Sequence, residues 1–224
     1  CMGIMGESGS GKSTLAQLLV GLLIPTKGNI SINGRKIDCM SSKDIRFLRS
    51  NIQLVMQDGR GSLHPNKTIR WLLQEVVDEA TKHDKEWQID IPKILNDVGL
   101  NDQVLDRKQD SLSGGECLRI SIARALLMKP AILICDESTT SLDAPTRDEI
   151  IRLLLYLMDQ QKLGLILIAH DDSIIRWIAK DILVLEEGEI VEKGLANEVL
   201  NHPQHQVTKN ILHAHATLME KRNP

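Results

Sequence analysis

A chain of 224 residues with 42% hydrophobic and 25% charged residues holds enough apolar material for one large α/β domain, or a core with a small insert. A net charge of −3, with one Phe, one Tyr and three Trp, offers neither the basic surface nor the stacking platforms of a nucleic-acid binder. No apolar run has the length of a membrane span and no signal peptide is visible, so any membrane association is expected to go through a partner. Cys1, Cys39, Cys117 and Cys135 lack C-x-x-C spacing and read as reduced thiols of a cytosolic protein.

Cys1 to Met5 is a short, strand-like apolar run. Gly6-Glu7-Ser8-Gly9-Ser10-Gly11-Lys12-Ser13, followed by Thr14, fits G-x-x-x-x-G-K-[ST]. Glycines permit positive φ, so successive backbone N–H groups can curl around an anion. The Lys12 ammonium can reach outer phosphates, and the Ser13 hydroxyl can hold Mg²⁺. Leu15, Leu18, Leu19, Leu22 and Leu23 recur at helical spacing. A strand, a glycine loop and a helix N-terminus make an anion site rather than a chance Gly/Ser linker.

Further on, Asn29 to Ile32 and the Asn33-Gly34 pair predict a hairpin. Ile52, Leu54 and Met56 alternate in a strand that ends at Gln57. A loop with Gly59, Gly61 and Pro65 leads to a Thr68-capped helix carrying Ile69, Leu72, Leu73, Val76 and Val77. Thr81 to Asp90 reads as a polar surface connection, and Pro92 and Gly99 bracket another helix. Leu112-Ser113-Gly114-Gly115-Glu116 precedes an apolar helix ended by Pro130. Ala131 to Cys135 and Leu165 to Ala169 are continuous apolar runs, as in strands buried on both faces, with a helix from Pro145 to Gln160 between them. Ile182 to Leu185 and Glu189 to Val191 flank Glu186-Glu187-Gly188 as a late hairpin. From Ala196 the chain reads as two short helices around His202-Pro203, a solvated tail rather than a metal site.

Buried strands alternating with helices predict a parallel sheet, whose ligands bind beyond the carboxyl ends of the strands. Asp136, Glu137 and His170 fall there with the glycine loop. At a strand end Asp136 can orient a water on Mg²⁺, and Glu137 can polarise the water that attacks a γ-phosphorus. His170 can bridge that phosphate and Glu137, and Gln57 can bond Mg²⁺ or the attacking water. Ser113-Gly114-Gly115 ahead of a helix is either an ordinary Ser cap or a second anion cradle, and the residue pattern leaves both open. One nucleotide does not need two cradles in one chain. The second would therefore grip a phosphate bound to a facing chain.

In this order the motifs resemble those of the ATP-binding subunits of ABC transporters, over essentially the whole chain. Residues Gly6 to Ser13 correspond to Walker A, Gln57 to the Q-loop, and Leu112 to Glu116 to the LSGGQ signature. Ile132 to Glu137 is similar to Walker B, Ser141-Leu142-Asp143 to the D-loop, and His170 to the H-switch. Val55-Met56-Gln57-Asp58, Ser62-Leu63-His64-Pro65 and the tail His202 to Lys209 resemble the oligopeptide, dipeptide and nickel importers. Val104-Leu105-Asp106-Arg107 leans toward the nickel type. The chain departs from the pattern at Glu116, where Gln is usual, and at Ser138, where Pro is usual. The aromatic residue that stacks on adenine would lie in front of Cys1, so further residues are expected there.

The resemblance implies a P-loop NTPase core at 1–66 and 116–195, a small antiparallel β portion, a helical subdomain at about 67–115, and a helical tail at 196–224. It implies ATP on residues Gly6 to Thr14, and Mg²⁺ near Ser13, Gln57 and Asp136. Glu137, His170 and Gln57 would be catalytic, with Ser113 to Glu116 and Asp143 serving across a dimer of ATP-binding subunits. Permease subunits and an extracellular or periplasmic binding protein complete the expected assembly at the cytoplasmic face of the membrane, with nickel complexes or short peptides as cargo. A soluble ABC-type ATPase of the DNA-repair or translation-factor branch is the alternative.

Overall fold

The structure, a computed structural model, describes residues 1–38, 41–56, 59–83, 88–136, 142–169 and 172–220. In chain order its first elements are β1 (Met2–Gly6), α1 (Lys12–Leu19), β2 (Ile30–Ile32), β3 (Arg35–Ile37), α2 (Ser42–Asn51) and β4 (Ile52–Val55). Next come α3 (Ile69–His83), α4 (Ile91–Asp97), two 3-10 turns at Asp102–Asp106 and Gln109–Ser111, and α5 (Gly114–Leu126). They are followed by β5 (Ile132–Asp136), α6 (Ala144–Gln161), β6 (Gly164–Ile168), α7 (Asp172–Ile178), β7 (Asp181–Glu186), β8 (Glu189–Leu195), α8 (Ala196–Asn201) and α9 (Gln206–Glu220).

The main sheet has the order β4-β5-β6-β1-β7-β8, parallel throughout except for the antiparallel edge strand β8. Strand side chains sort with period two between two cores, as pleating demands. Met5, Leu133, Cys135, Leu165, Leu167, Ile182 and Val184 pack under α5, α6 and α7. Ile4, Ile134, Ile168 and Leu185 pack on the other face with Ala16 of α1, Leu48 of α2 and Ile37 of β3. Each fully buried Leu or Ile contributes about 1.5–3 kcal/mol of transfer free energy, so continuous apolar runs are what such a two-faced sheet needs.

The helical region has its own core of Leu72, Leu73, Leu95, Val104 and Leu112, closed by Cys117 and Ile120 of α5 and by Leu127, which caps that helix. The opposite stripe of α5, with Leu118, Ile122 and Leu126, belongs to the sheet core. One helix is thus the shared wall of two cores, and the stretch before it is positioned by both.

Several expectations need correcting. β4 stops at Val55 and Met56 is 50% exposed, so Ile52, Leu54 and Met56 do not form one buried row. Ile52 and Val55 instead enter opposite cores. Helix α3 runs on to His83, into the stretch expected to be a surface connection. The Thr81 hydroxyl there donates to the Val77 carbonyl at 2.9 Å, and Lys82 pairs with Glu79. Helices α2 and α7 were not anticipated; α2 has a Ser41 cap and a single fully buried side chain, Leu48. The late hairpin exists, with Glu187 and Gly188 left-handed at φ 49° and 84°, but β7 is also the fifth parallel strand, beside β1.

The tail is anchored rather than solvated. Val207 and Ile211 enter the main core, and Glu192 of β8 accepts from the backbone N–H of Gln204 (2.8 Å) and of His205 (3.1 Å) and from the Thr208 hydroxyl. Burial pushes the Glu192 carboxyl up, but the Gln204 N–H, the Thr208 hydroxyl and the His205 N–H outweigh it and hold it below its ordinary value. A depressed carboxylate stabilises the fold above its unfolded pKa, and that contribution is lost as pH falls through the folded pKa. Hydrogen-exchange protection across 206–214, relative to the intrinsic rate at each pH, is therefore expected to be high at neutral pH and to fall on acidification below the ordinary Glu range of about 4.3. Glu192→Gln is expected to flatten that pH dependence; a profile unchanged by the substitution would refute the anchor.

Candidate functional site

β1 ends at Gly6, where a Cβ would come within 2.4 Å of the Ser10 hydroxyl and 2.5 Å of the Leu185 carbonyl oxygen. Glycine alone fits there. Gly9 and Gly11 take φ of 84° and 100°, turning the loop left-handed twice before α1. Gly11 is the N-cap residue and supplies no side-chain cap, so the first-turn N–H groups of α1 are open to an anion. Glu7 and Ser8 are exposed on the loop, as are Ser13 and Thr14 on the helix, whereas Ser10 is buried. The Lys12 ammonium, 4% exposed, folds back to donate to the Gly6 (2.9 Å) and Glu7 (2.8 Å) carbonyls and to the Ser10 hydroxyl (3.4 Å). The turn between β7 and β8 braces this loop from outside: the Gly188 N–H donates to the Ser10 carbonyl at 3.0 Å.

Asp136 ends β5 in register with Ile168, which is itself in register with Ile4. The carboxylate therefore stands in the same row of the sheet as the strand feeding the loop, and α1 packs against β5. Its Oδ1 is buried and has no hydrogen-bond partner among the described residues. A buried, unpartnered carboxylate oxygen costs about 1–3 kcal/mol or more unless a ligand satisfies it. An oxygen-only donor set of this carboxylate and the exposed Ser13 hydroxyl suits a hard cation such as Mg²⁺. Gln57, Glu137 and His170 lie outside the described residues, as do Ser141 of the D-loop and Cys39.

The Ser113-Gly114-Gly115 segment opens α5. Ser113 is its N-cap, and a reciprocal capping box joins the Glu116 N–H to the Ser113 hydroxyl (3.1 Å) and the Ser113 N–H to Glu116 Oε2 (2.8 Å). The Ser113 N–H holds the Glu116 carboxyl below its ordinary value, aided by Arg107 and opposed by burial. A Cβ on Gly115 would meet Thr146 Cγ2 at 2.6 Å, and one on Gly114 would meet Leu142 at 3.5 Å. The signature glycines thus let the N-termini of α5 and α6 converge. Asp143 caps α6, accepting from the Thr146 N–H and hydroxyl, both at 3.0 Å; the N–H in particular holds its carboxyl low.

Three contacts were not expected from the sequence: Arg107 with Glu116, Gly188 with the phosphate loop, and Arg60, whose guanidinium donates to the Leu112 carbonyl at 2.7 Å. The capping box alone had a local signature, Ser113-x-x-Glu116. The contacts of Gly188 and Arg60 join residues far apart in the chain, and Arg107 meets Glu116 across nine positions at no regular spacing.

A glycine-rich loop between the first strand and helix of a parallel sheet, with a strand-end carboxylate in the same row, defines a P-loop nucleotide-binding cassette. The chain belongs to the ABC transporter family, whose family model matches residues 1–140, more than half of its length. It is 36% identical over 217 residues to the oligopeptide transport ATP-binding protein OppF of Salmonella typhimurium, covering 95% of this chain and 64% of that protein. It is 35% identical over 214 residues to the dipeptide transport ATP-binding protein DppF of Haemophilus influenzae, covering 95% and 65%. The chain thus spans just under two thirds of the length of these curated relatives. Among solved structures, CbiO1 of Clostridium perfringens, part of the ABC transporter complex cbiONQ, superposes with a TM-score of 0.77 at 28% identity over 98% of this chain and 86% of that one. The dimeric cassette MJ0796 in a post-hydrolysis state with ADP and phosphate gives a TM-score of 0.71 at 27% identity, over 87% and 84%.

Proposed function

We propose that this chain is the ATP-hydrolysing subunit of an importer of short peptides. The observation that carries the reading is the buried, unpartnered Asp136 Oδ1 beside the helix that follows the phosphate loop. The N–H groups of residues Gly6 to Thr14 and the Lys12 ammonium hold the ATP phosphates. Ser13, Gln57 and Asp136 hold Mg²⁺, which when bound neutralises phosphate charge. Glu137 takes the proton of the attacking water, and His170 contacts the γ-phosphate. Ser113, Gly114 and Gly115 grip the γ-phosphate of a facing ATP-binding subunit, Glu116 caps the helix that carries them, and Asp143 caps the neighbouring helix start.

The dimeric cassette among its structural neighbours supports a facing subunit. Two relatives named for oligopeptides and dipeptides favour peptide cargo over the nickel type. A cleft of about 880 Å³ between α3 and β4, floored by α5 and edged by Met56, Trp71, Gln74 and Arg124, is shaped to take a permease loop. With no described helix long and apolar enough to cross a membrane, attachment to the cytoplasmic face goes through that permease, fed in turn by an extracellular or periplasmic binding protein. No nucleic acid is required.

The test is Glu137→Gln. MgATP binding is expected to persist while hydrolysis falls about 100-fold or more, the usual contribution of a general base. Turnover within a few-fold of the parent would remove Glu137 from the mechanism.

A further inference from the structure

The geometry points to Arg107 as a positioning residue of the signature segment: its guanidinium neutralises Glu116, so that a carboxylate can stand in the first turn of a helix that must receive a polyphosphate. The inference rests on the proposed role of Ser113, Gly114 and Gly115 toward a facing nucleotide.

An acid in the first turn of a helix is favourable in itself, because it sits in the positive field of the helix N-terminus. At a cradle for phosphate that same acid is a competitor. Glu116 uses one oxygen on the Ser113 N–H and turns the other to Arg107 Nη1 at 2.7 Å. Both oxygens are thus engaged, and the negative charge is matched where the pair is 38% and 29% exposed. Glutamine at this position would cap the helix equally well without a charge to neutralise.

Arg107 is held for the task from two sides. Its guanidinium also donates to the Ser111 carbonyl and, at 3.4 Å, to the Ser111 hydroxyl. Its own carbonyl accepts from the Ile69 N–H at 3.0 Å, at the start of α3. The guanidinium is therefore carried by the helical region, while the carboxylate is carried by α5. The hollow beside them, about 450 Å³, is lined by Ser113, Gly115, Arg107, Glu116 and a second matched pair, Arg119 with Glu149 at 2.9 Å. Two cations face two anions there. Removing Arg107 leaves an excess negative charge next to Ser113, where a triphosphate is to dock.

The experiment measures MgATP hydrolysis by the full protein in its assembled, two-subunit form. Arg107→Gln is expected to raise the half-saturating MgATP concentration about five-fold, the upper end for one partly exposed charge pair, with kcat little changed. Raising the ionic strength to about 1 M, where the Debye length is about 3 Å, should close most of that gap. Adding Glu116→Gln should cancel the defect, and Arg107→Lys, which keeps the charge but not the fork, should stay near the parent. A defect that persists in the double variant, ignores salt or appears equally in Arg107→Lys would make Arg107 a structural brace only and overturn the inference. Ser113→Ala separates the two levels. If it leaves hydrolysis intact, the facing-subunit reading fails and takes this inference with it. If it abolishes hydrolysis while Arg107→Gln is silent, the charge-matching role alone is refuted.

Discussion

Lys12→Ala is expected to lower MgATP affinity about 100-fold or more while leaving the fold intact. Alanine is the best helix former, and Lys12 is the first residue of α1, so the helix survives the change. What is lost is a buried cation that donates to two loop carbonyls and a hydroxyl. When phosphates enter, those charge-assisted bonds are exchanged for bonds to phosphate oxygens, each worth about 1.5–3 kcal/mol. At one decade per 1.4 kcal/mol, two such bonds exceed the predicted loss. Calorimetric titration with MgATP, beside a thermal melt, reads both quantities; affinity within three-fold of the parent, about 0.65 kcal/mol, would place the phosphates elsewhere.

The second large effect has opposite signs with and without metal. In EDTA, Asp136→Asn is expected to raise the melting temperature, because it removes the charge of a buried oxygen that has no partner among the described residues. A gain of about 1 kcal/mol corresponds to about 2–4 °C for a chain of this size. With Mg²⁺ and ADP present the order should reverse, since the parent gains stability by ligand linkage and the variant does not. A variant that melts lower than the parent in EDTA, or that keeps the full Mg²⁺-dependent shift, would mean that Asp136 is a structural carboxylate and not a cation ligand. Both measurements read stability, and neither depends on turnover.

The parallel core was legible in the sequence because strands buried on both faces are written as uninterrupted apolar runs, as at Leu133 to Cys135 and Leu165 to Ile168. The phosphate loop was legible for a related reason. Three glycines, a lysine and three serines within eight residues leave little else for the backbone to do. Helix α2 escaped because its polar composition masks a short amphipathic pattern, with Ile45 and Leu48 three residues apart in only ten residues. The overrun of α3 escaped because polar residues at its end satisfy one another along the helix, through Thr81 with Val77 and Lys82 with Glu79.

By itself the sequence determined what is local: the glycine loop before α1, the Asn33-Gly34 and Glu187-Gly188 turns, the helix start at Ser113, and the strands that must be interior. Only the tertiary structure decided which of these meet. It set Asp136 in one row with Ile4, laid the Gly188 turn on the phosphate loop, and brought Arg107, just past a 3-10 turn of the helical region, to Glu116. The division has a physical cause. Backbone torsions, caps and alternation depend on neighbours a few residues away, whereas the order of strands and the pairing of charges depend on how two whole cores share α5. Residue spacing carries no record of that sharing.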